Sequence, residues 1–154
     1  MSVDITLVKM SAEMIPALAE IERVCFSHPW TEEGLAAELE KETAVFYAAL
    51  LDDRPVGYMG FQIICDEAYV DNIAVLPEFR RLGIGRKLLY NAVEICRSRG
   101  VSFLSLEVRP SNTAAVSLYE SVGFAEVGSR RGFYSSPTED ARIMTLYFNG
   151  TENI

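Results

Sequence analysis

Apolar and polar residues alternate from Val3 to Lys9, with Val3, Ile5 and Leu7 on one side, which is the period of a half-buried strand. The spacing then lengthens. Met14, Leu18, Ile21 and Cys25 recur at helical intervals, and Pro16 fits only in the first turn of that helix. His28-Pro29-Trp30 interrupts the pattern. Thr31 is placed to cap a second short helix, with Glu32 and Glu33 in its first turn and Leu35 and Leu39 toward the core. Two apolar runs, Ala44 to Leu51 and Val56 to Cys65, flank the turn formers Asp52-Asp53-Arg54-Pro55 and predict an antiparallel hairpin. A further strand spans Glu67 to Val75, stopped by Pro77.

The best-marked helix runs from Gly85 to Arg99. Leu88, Leu89, Ala92, Val93 and Cys96 form its apolar stripe, and Lys87, Asn91, Glu94 and Arg97 lie opposite. Gly100 ends it. Ser102 to Val108 reads as a strand with Leu104, Leu106 and Val108 on one face and Phe103, Ser105 and Glu107 on the other. A helix follows from about Asn112 to Val122, with Ala115, Leu118, Tyr119 and Val122 on one face and Gly123 as its stop. Phe124 to Gly132 and Ala141 to Phe148 close the chain as strands around a Ser135-Ser136-Pro137 loop. The order β-α-α-β-β-β-α-β-α-β-β describes an α/β sandwich around a mixed sheet.

Composition narrows the partners. With 154 residues, 49% of them apolar, the chain is long enough for one substantial core, and residues 1–150 read as a single domain with a short tail at 151–154. Fourteen Lys and Arg against twenty-two Asp and Glu give a formal charge of -8. That balance argues against direct nucleic-acid binding and suits a basic substrate. Cys25, Cys65 and Cys96 are odd in number, far apart and outside any CxxC or Cys/His pattern, so neither a disulfide framework nor a metal site is expected. An acidic N-terminus and the lack of a long apolar run predict a cytoplasmic protein with no membrane partner.

Against that acidic background, Arg80-Arg81-Leu82-Gly83-Ile84-Gly85-Arg86 is a local inversion of charge at the mouth of a helix. Two glycines let backbone approach a ligand closely, and a helix N-terminus presents N–H groups and partial positive charge, an arrangement that suits a pyrophosphate. It is neither a P-loop nor the three-glycine dinucleotide fingerprint. The segment resembles the acetyl-CoA motif [R/Q]-x-x-G-x-[G/A] of the GNAT superfamily of N-acetyltransferases, matched by Arg80, Gly83 and Gly85, and the order of elements resembles that family's over nearly the whole chain. The resemblance implies a GNAT-type mixed, mostly antiparallel sheet flanked by helices. It also implies acetyl-CoA as co-substrate, with backbone of Ile73, Ala74 and Val75 pairing with the pantetheine arm and N–H groups from Arg81 to Arg86 on the pyrophosphate.

Acetyl transfer to an amine needs a free-base nucleophile, a polarised thioester carbonyl and a proton for the leaving thiolate. Glu107, near a strand end and opposite the apolar stripe, is a candidate base, directly or through water. Tyr119 would bring a hydroxyl to an apolar helix face, where it needs a polar partner. Asn112 suits an N-cap, and Pro110 restricts Arg109 to extended backbone. The stretches from Leu106 to Asn112 and from Leu118 to Phe124 are similar to the RimI branch of that superfamily, bacterial enzymes that acetylate the N-terminal alanine of a small-subunit ribosomal protein. Phe26 to Thr31 and Asp71 to Val75 add to the similarity. It implies Glu107 as base, Tyr119 as acid, Asn112 as a CoA contact and the basic N-terminus of a ribosomal protein as partner. The role of His28, the single histidine, is open. So are two other readings, acetylation of a small-molecule amine or polyamine and a non-catalytic acyl-CoA-binding module.

Overall fold

Local chemistry accounts for where the elements start and stop. The computed structural model describes residues 4–148, so the expected strand residue Val3 and the tail 151–154 lie outside the described residues. Strand β1 is Ile5–Lys9, α1 is Ile15–Cys25 with Pro16 in its first turn, and α2 is Glu32–Glu38. Thr31 caps α2 by accepting a hydrogen bond from the Gly34 amide at 3.0 Å. Leu35 is fully buried, whereas Leu39, expected in the core, is the C-terminal cap residue and is 39% exposed. The helix ends one residue too early to turn it inward.

Strands β2 (Ala44–Leu51) and β3 (Arg54–Ile64) form the expected hairpin, but its turn is tighter than the four residues Asp52–Pro55. Asp52 and Asp53 alone make it, at φ 51° and 67°, the left-handed pair of a two-residue hairpin turn. Pro55 is absorbed into β3 because the register shifts at Ala49/Leu50, and a bulge is where a strand tolerates a residue without an N–H. Farther along, the Phe46 ring lies on Gly60, where an added Cβ would come within 2.2 Å of it.

Strand β4 is Glu67–Val75, followed by a single 3-10 turn at Pro77–Phe79 and then α3, Ile84–Ser98. The expected stripe on α3 is buried at every position, Leu88, Leu89, Ala92, Val93 and Cys96. Each large aliphatic side chain so buried contributes roughly 1.5–3 kcal/mol. Strand β5 is Phe103–Val108, α4 is Thr113–Val122, β6 is Ala125–Tyr134 and β7 is Glu139–Tyr147. Gly123 stops α4 at φ 118°. On α4 the buried residues are Val116 and Tyr119, while Ala115, Leu118 and Val122 are half-buried, so the apolar face is rotated from the expected one. Strand β5 was expected to have one polar face. Ser105 is buried there, its hydroxyl 2.9 Å from that of Thr145, so this strand is covered on both sides at its centre.

The seven strands follow the order β1-β2-β3-β4-β5-β7-β6. The β1/β2, β2/β3, β5/β7 and β6/β7 pairs are antiparallel, and Glu67–Tyr69 pairs parallel to Phe103–Ser105. The chain divides into two compact units, Met1–Gln62 with Asp71–Ala92, and Ile63–Val70 with Val93–Ile154. The first packs Leu18, Ile21 and Leu35 onto Phe46, Ala48 and Tyr58. No helix among the described residues is long and apolar enough to cross a membrane.

Candidate active site

In the first unit, the second half of β4 carries Ile73 and Val75 half-buried and Ala74 buried. Strand β3 passes this segment closely: a Cβ on Gly57 would lie 2.9 Å from the Ala74 carbonyl oxygen, so the close approach requires glycine. The Val75 carbonyl accepts from Arg80 Nε at 2.9 Å and from Cys25 Sγ at 3.5 Å. The guanidinium of Arg80 is thereby committed to closing the turn that follows β4, while those of Arg81 and Arg86 belong to exposed residues. Burial pushes the Cys25 thiol up, against the neighbouring Arg80 charge.

Arg81 at φ 67° and Gly83 at φ 81° bend the chain into α3, and the space where a Gly83 Cβ would stand is empty to 4 Å. The Lys87 amide makes the first helical bond, to the Gly83 carbonyl at 3.0 Å. The amides of the opening turn, Ile84, Gly85 and Arg86, precede that bond and have no partner within the helix. Ile84 anchors the turn at 2% exposure, and Leu82 projects outward at 45%. The result is an open, amide-lined mouth flanked by cationic residues.

In the same unit lies a group that sequence reasoning missed. Glu22 is fully buried on α1, and its carboxylate accepts from the Tyr58 hydroxyl, from Asn72 Nδ2 at 2.7 Å and from the Trp30 amide at 2.9 Å. It fixes the connection between α1 and α2, which contains the exposed His28, to β3 and β4. Burial first, and the Glu22 charge second, hold the Tyr58 phenol far above its ordinary range. Beside Trp30 an open cleft of about 350 Å³ is lined by Arg23, Pro29, Thr31, Glu32 and Glu33.

The second unit carries the candidate chemistry. Glu107 stands on β5 opposite Ile143, its side chain 27% exposed and its Oε2 3.1 Å from Arg130 Nε. Asn112 caps α4, with Oδ1 accepting from the Ala115 amide at 3.2 Å. Tyr119 is 5% exposed and packs on Phe124 at 5.8 Å between ring centroids. Burial, reinforced by Tyr134, pushes its phenol well above the ordinary range. The Tyr119 hydroxyl has no hydrogen bond to another described residue, yet no enclosed side-chain oxygen or nitrogen among the described residues lacks a partner. Its oxygen is therefore not fully enclosed.

Tyr134, at the end of β6, was also missed. Its phenol is pushed up to about 12 by burial and then by the Glu107 charge, opposed by Arg109 and aided by Glu139. The Glu107 charge acts on Tyr134, and Tyr134 acts on Tyr119, so Tyr134 is the group within electrostatic reach of both. The available signal was the aromatic pair Phe133-Tyr134 ahead of a Ser-Ser-Pro loop, which by itself also describes an ordinary strand end.

The chain is similar in sequence and fold to known proteins. A family model described as "Acetyltransferase (GNAT) family" matches residues 15–124. The [ribosomal protein bS18]-alanine N-acetyltransferase of Salmonella typhimurium is 40% identical over 143 residues, which is 92% of this chain and 96% of that protein. The crystal structure of the ribosomal-protein-S18-alanine N-acetyltransferase from Escherichia coli superposes with a TM-score of 0.87 at 35% identity, covering 97% of this chain and 98% of that one. An N-acetyltransferase from Thermoplasma acidophilum in complex with coenzyme A shares the fold at a TM-score of 0.81 and 22% identity, covering 94% and 99% of the two chains. By the family match and the extent of these similarities, the chain belongs to the acetyltransferase (GNAT) family.

Proposed function

We propose that this acetyltransferase moves the acetyl group of acetyl-CoA to the N-terminal α-amine of a protein, and that its acceptor is the N-terminal alanine of a small-subunit ribosomal protein. The observation that carries the reading is Tyr119, a buried phenol held in its protonated form whose oxygen is not fully enclosed, in electrostatic contact through Tyr134 with the half-exposed Glu107. The acceptor is supported by the curated relatives of similar length and by the acidic chain, which suits a basic peptide.

Most of the donor-binding groups come from the first unit. Backbone groups of Ile73, Ala74 and Val75 hold the pantetheine arm, and the amides from Arg81 through Leu82, Gly83, Ile84 and Gly85 to Arg86 hold the pyrophosphate. The empty space over Gly83 and the unpaired opening amides of α3 suit a diphosphate. Arg80 shapes the turn through its bond to Val75, and Asn112 adds a contact to CoA while capping α4.

The chemistry uses the second unit. An α-ammonium group titrates near ~8, so a carboxylate such as Glu107 suffices to take its proton, directly or through water. The neutral amine attacks the thioester carbonyl, the carbon–sulfur bond breaks, the thiolate takes its proton from Tyr119, and the surplus proton on the newly acylated nitrogen returns to the phenolate. At neutral pH the phenol has that proton to give, as an ordinary tyrosine does, and burial keeps it in this form. Residues 1–150 act as one N-acetyltransferase domain, in the cytoplasm, without direct contact to nucleic acid or membrane.

The test is mass spectrometry of peptides beginning with alanine and rich in arginine, incubated with protein and acetyl-CoA, alongside polyamines and peptides with blocked α-amines. Acetylation confined to free α-amines supports the reading. Faster turnover of polyamines, or no acetylation despite CoA binding measured by calorimetry, overturns it.

A further inference from the structure

Arg109 reaches across to the loop after β6. Arg109, at the end of β5, donates through Nη1 to the Pro137 carbonyl at 2.8 Å and to Glu139 Oε1 at 3.3 Å, and through Nη2 to the Ser135 carbonyl at 3.1 Å. Its guanidinium lies 4.4 Å from the centroid of the Tyr134 ring. Glu139, at the start of β7, completes the arrangement from the other side: Oε2 accepts from the Ser111 amide at 2.9 Å and Oε1 from the Ser111 hydroxyl at 2.8 Å. The β5–α4 connection and the β6–β7 connection are thus tied by five polar contacts and one stacked cation. A planar, multiply donating guanidinium suits this use, since a point charge does not reach two carbonyls, a carboxylate and a ring face at once.

We propose that Arg109 and Glu139 form a clamp whose purpose is to position Tyr134 beside Glu107 and Tyr119, as the wall against which the acceptor amine is presented. The proposal rests on the reading of Glu107 and Tyr119 given above. Arg109 is in this account a positioning residue, because it touches the loop and the Tyr134 ring and not the reacting atoms. Two features separate a clamp from ordinary stabilisation. The arginine bonds to loop carbonyls on both sides of Ser136, and it lies against Tyr134, the strand-end aromatic that interacts with both candidate catalytic groups.

The test combines kinetics with the titration of one tyrosine. Arg109→Gln is expected to raise the acceptor-peptide KM by about tenfold or more while the acetyl-CoA KM stays within about twofold, because only presentation of the acceptor is loosened. Arg109→Lys, which keeps the charge beside Glu139 but not the fork, should fall between the two. The titration gives a sign that mere loss of stability does not supply. Tyr134 stands at about 12, with Arg109 pulling it down and burial and Glu107 pushing it up. If Arg109→Gln releases the loop, the phenol returns toward its ordinary 10.0. If the loop stays in place, removal of the positive charge drives the phenol higher. NMR of ring-labelled tyrosine, assigned with Tyr134→Phe, reads the direction. A rise, or an unchanged acceptor KM in an enzyme that acetylates normally as wild type, overturns the clamp. A wild-type protein that acetylates no amine overturns instead the function proposed above, and the titration still decides whether the loop is held.

Discussion

Glu22 and Glu107 are both carboxylates within reach of a phenol, one in each unit of the molecule, and their surroundings are opposite. Glu22 is enclosed, with no exposed surface, and its oxygens are occupied by two side-chain donors and a main-chain amide. Glu107 keeps 27% of its side-chain surface exposed and has, among the described residues, one ion pair, to an arginine whose side chain is itself 59% exposed. The first arrangement leaves nothing for a substrate. The second leaves lone pairs and space, and the ion pair is too exposed to matter greatly to stability. A buried acid is thus a structural tie when its donors saturate it and a candidate for chemistry when they do not.

The sharpest way to break that contrast is Glu107→Gln. Loss of a general base costs about 10²–10⁴-fold in turnover, and unfolding in urea should shift by less than about 1 kcal/mol because the Arg130 pair is exposed. A variant with wild-type kcat would remove Glu107 from the site. Glu22→Ala should invert the outcome: it strands the Tyr58 hydroxyl, the Asn72 amide and the Trp30 N–H in the core, at a cost of about 3 kcal/mol by the same urea measurement. Retained stability would mean that Glu22 is not the tie described. Gly57→Ala comes next. Its Cβ would press on the Ala74 carbonyl, and about 1–3 kcal/mol of overpacking should appear together with a higher KM for acetyl-CoA and an unchanged KM for the acceptor.

The same contrast explains what was legible in the sequence. Local signals were read directly: Thr31 caps its helix three residues away, Gly123 stops α4 in left-handed conformation, and the stripe on α3 is buried as spaced. Periodicity located Glu107 and Tyr119 on their elements, and resemblance supplied their roles. Glu22 was not legible because its donors lie 8, 36 and 50 positions away, and nothing in a helix with an acidic residue announces them. Tyr134 and the Arg109–Glu139 clamp were not legible for the same reason, since their contacts span 25 to 30 positions. Pro55 shows a subtler failure. Turn chemistry was counted by residue type, but a bulge moved the proline into the strand.

The smallest expected effect separates two further carboxylates by the sign of a pH dependence. Glu139 is held below its usual 4.5, first by the Ser111 hydroxyl, then by the Ser111 amide and Arg109. Its contribution to folding is complete above 4.5 and is lost as pH falls through the folded value, because the folded state resists the proton that the unfolded chain accepts. Asp71 is held above its usual 3.8, mainly by burial and secondarily by the Glu38 charge, against the hydrogen bond from Gln62. Its contribution is complete below 3.8 and is lost as pH rises through the folded value. Urea unfolding between pH 7 and pH 3 should therefore show Glu139→Gln less stable than wild type at pH 7, with the gap closing below about 4.5 as the unfolded carboxyl is protonated. Asp71→Asn should be more stable than wild type at pH 7, and its advantage should shrink toward pH 3. Parallel curves for the two variants would mean that donor count does not distinguish these carboxylates, and the distinction drawn between Glu22 and Glu107 would then have to rest on exposure alone.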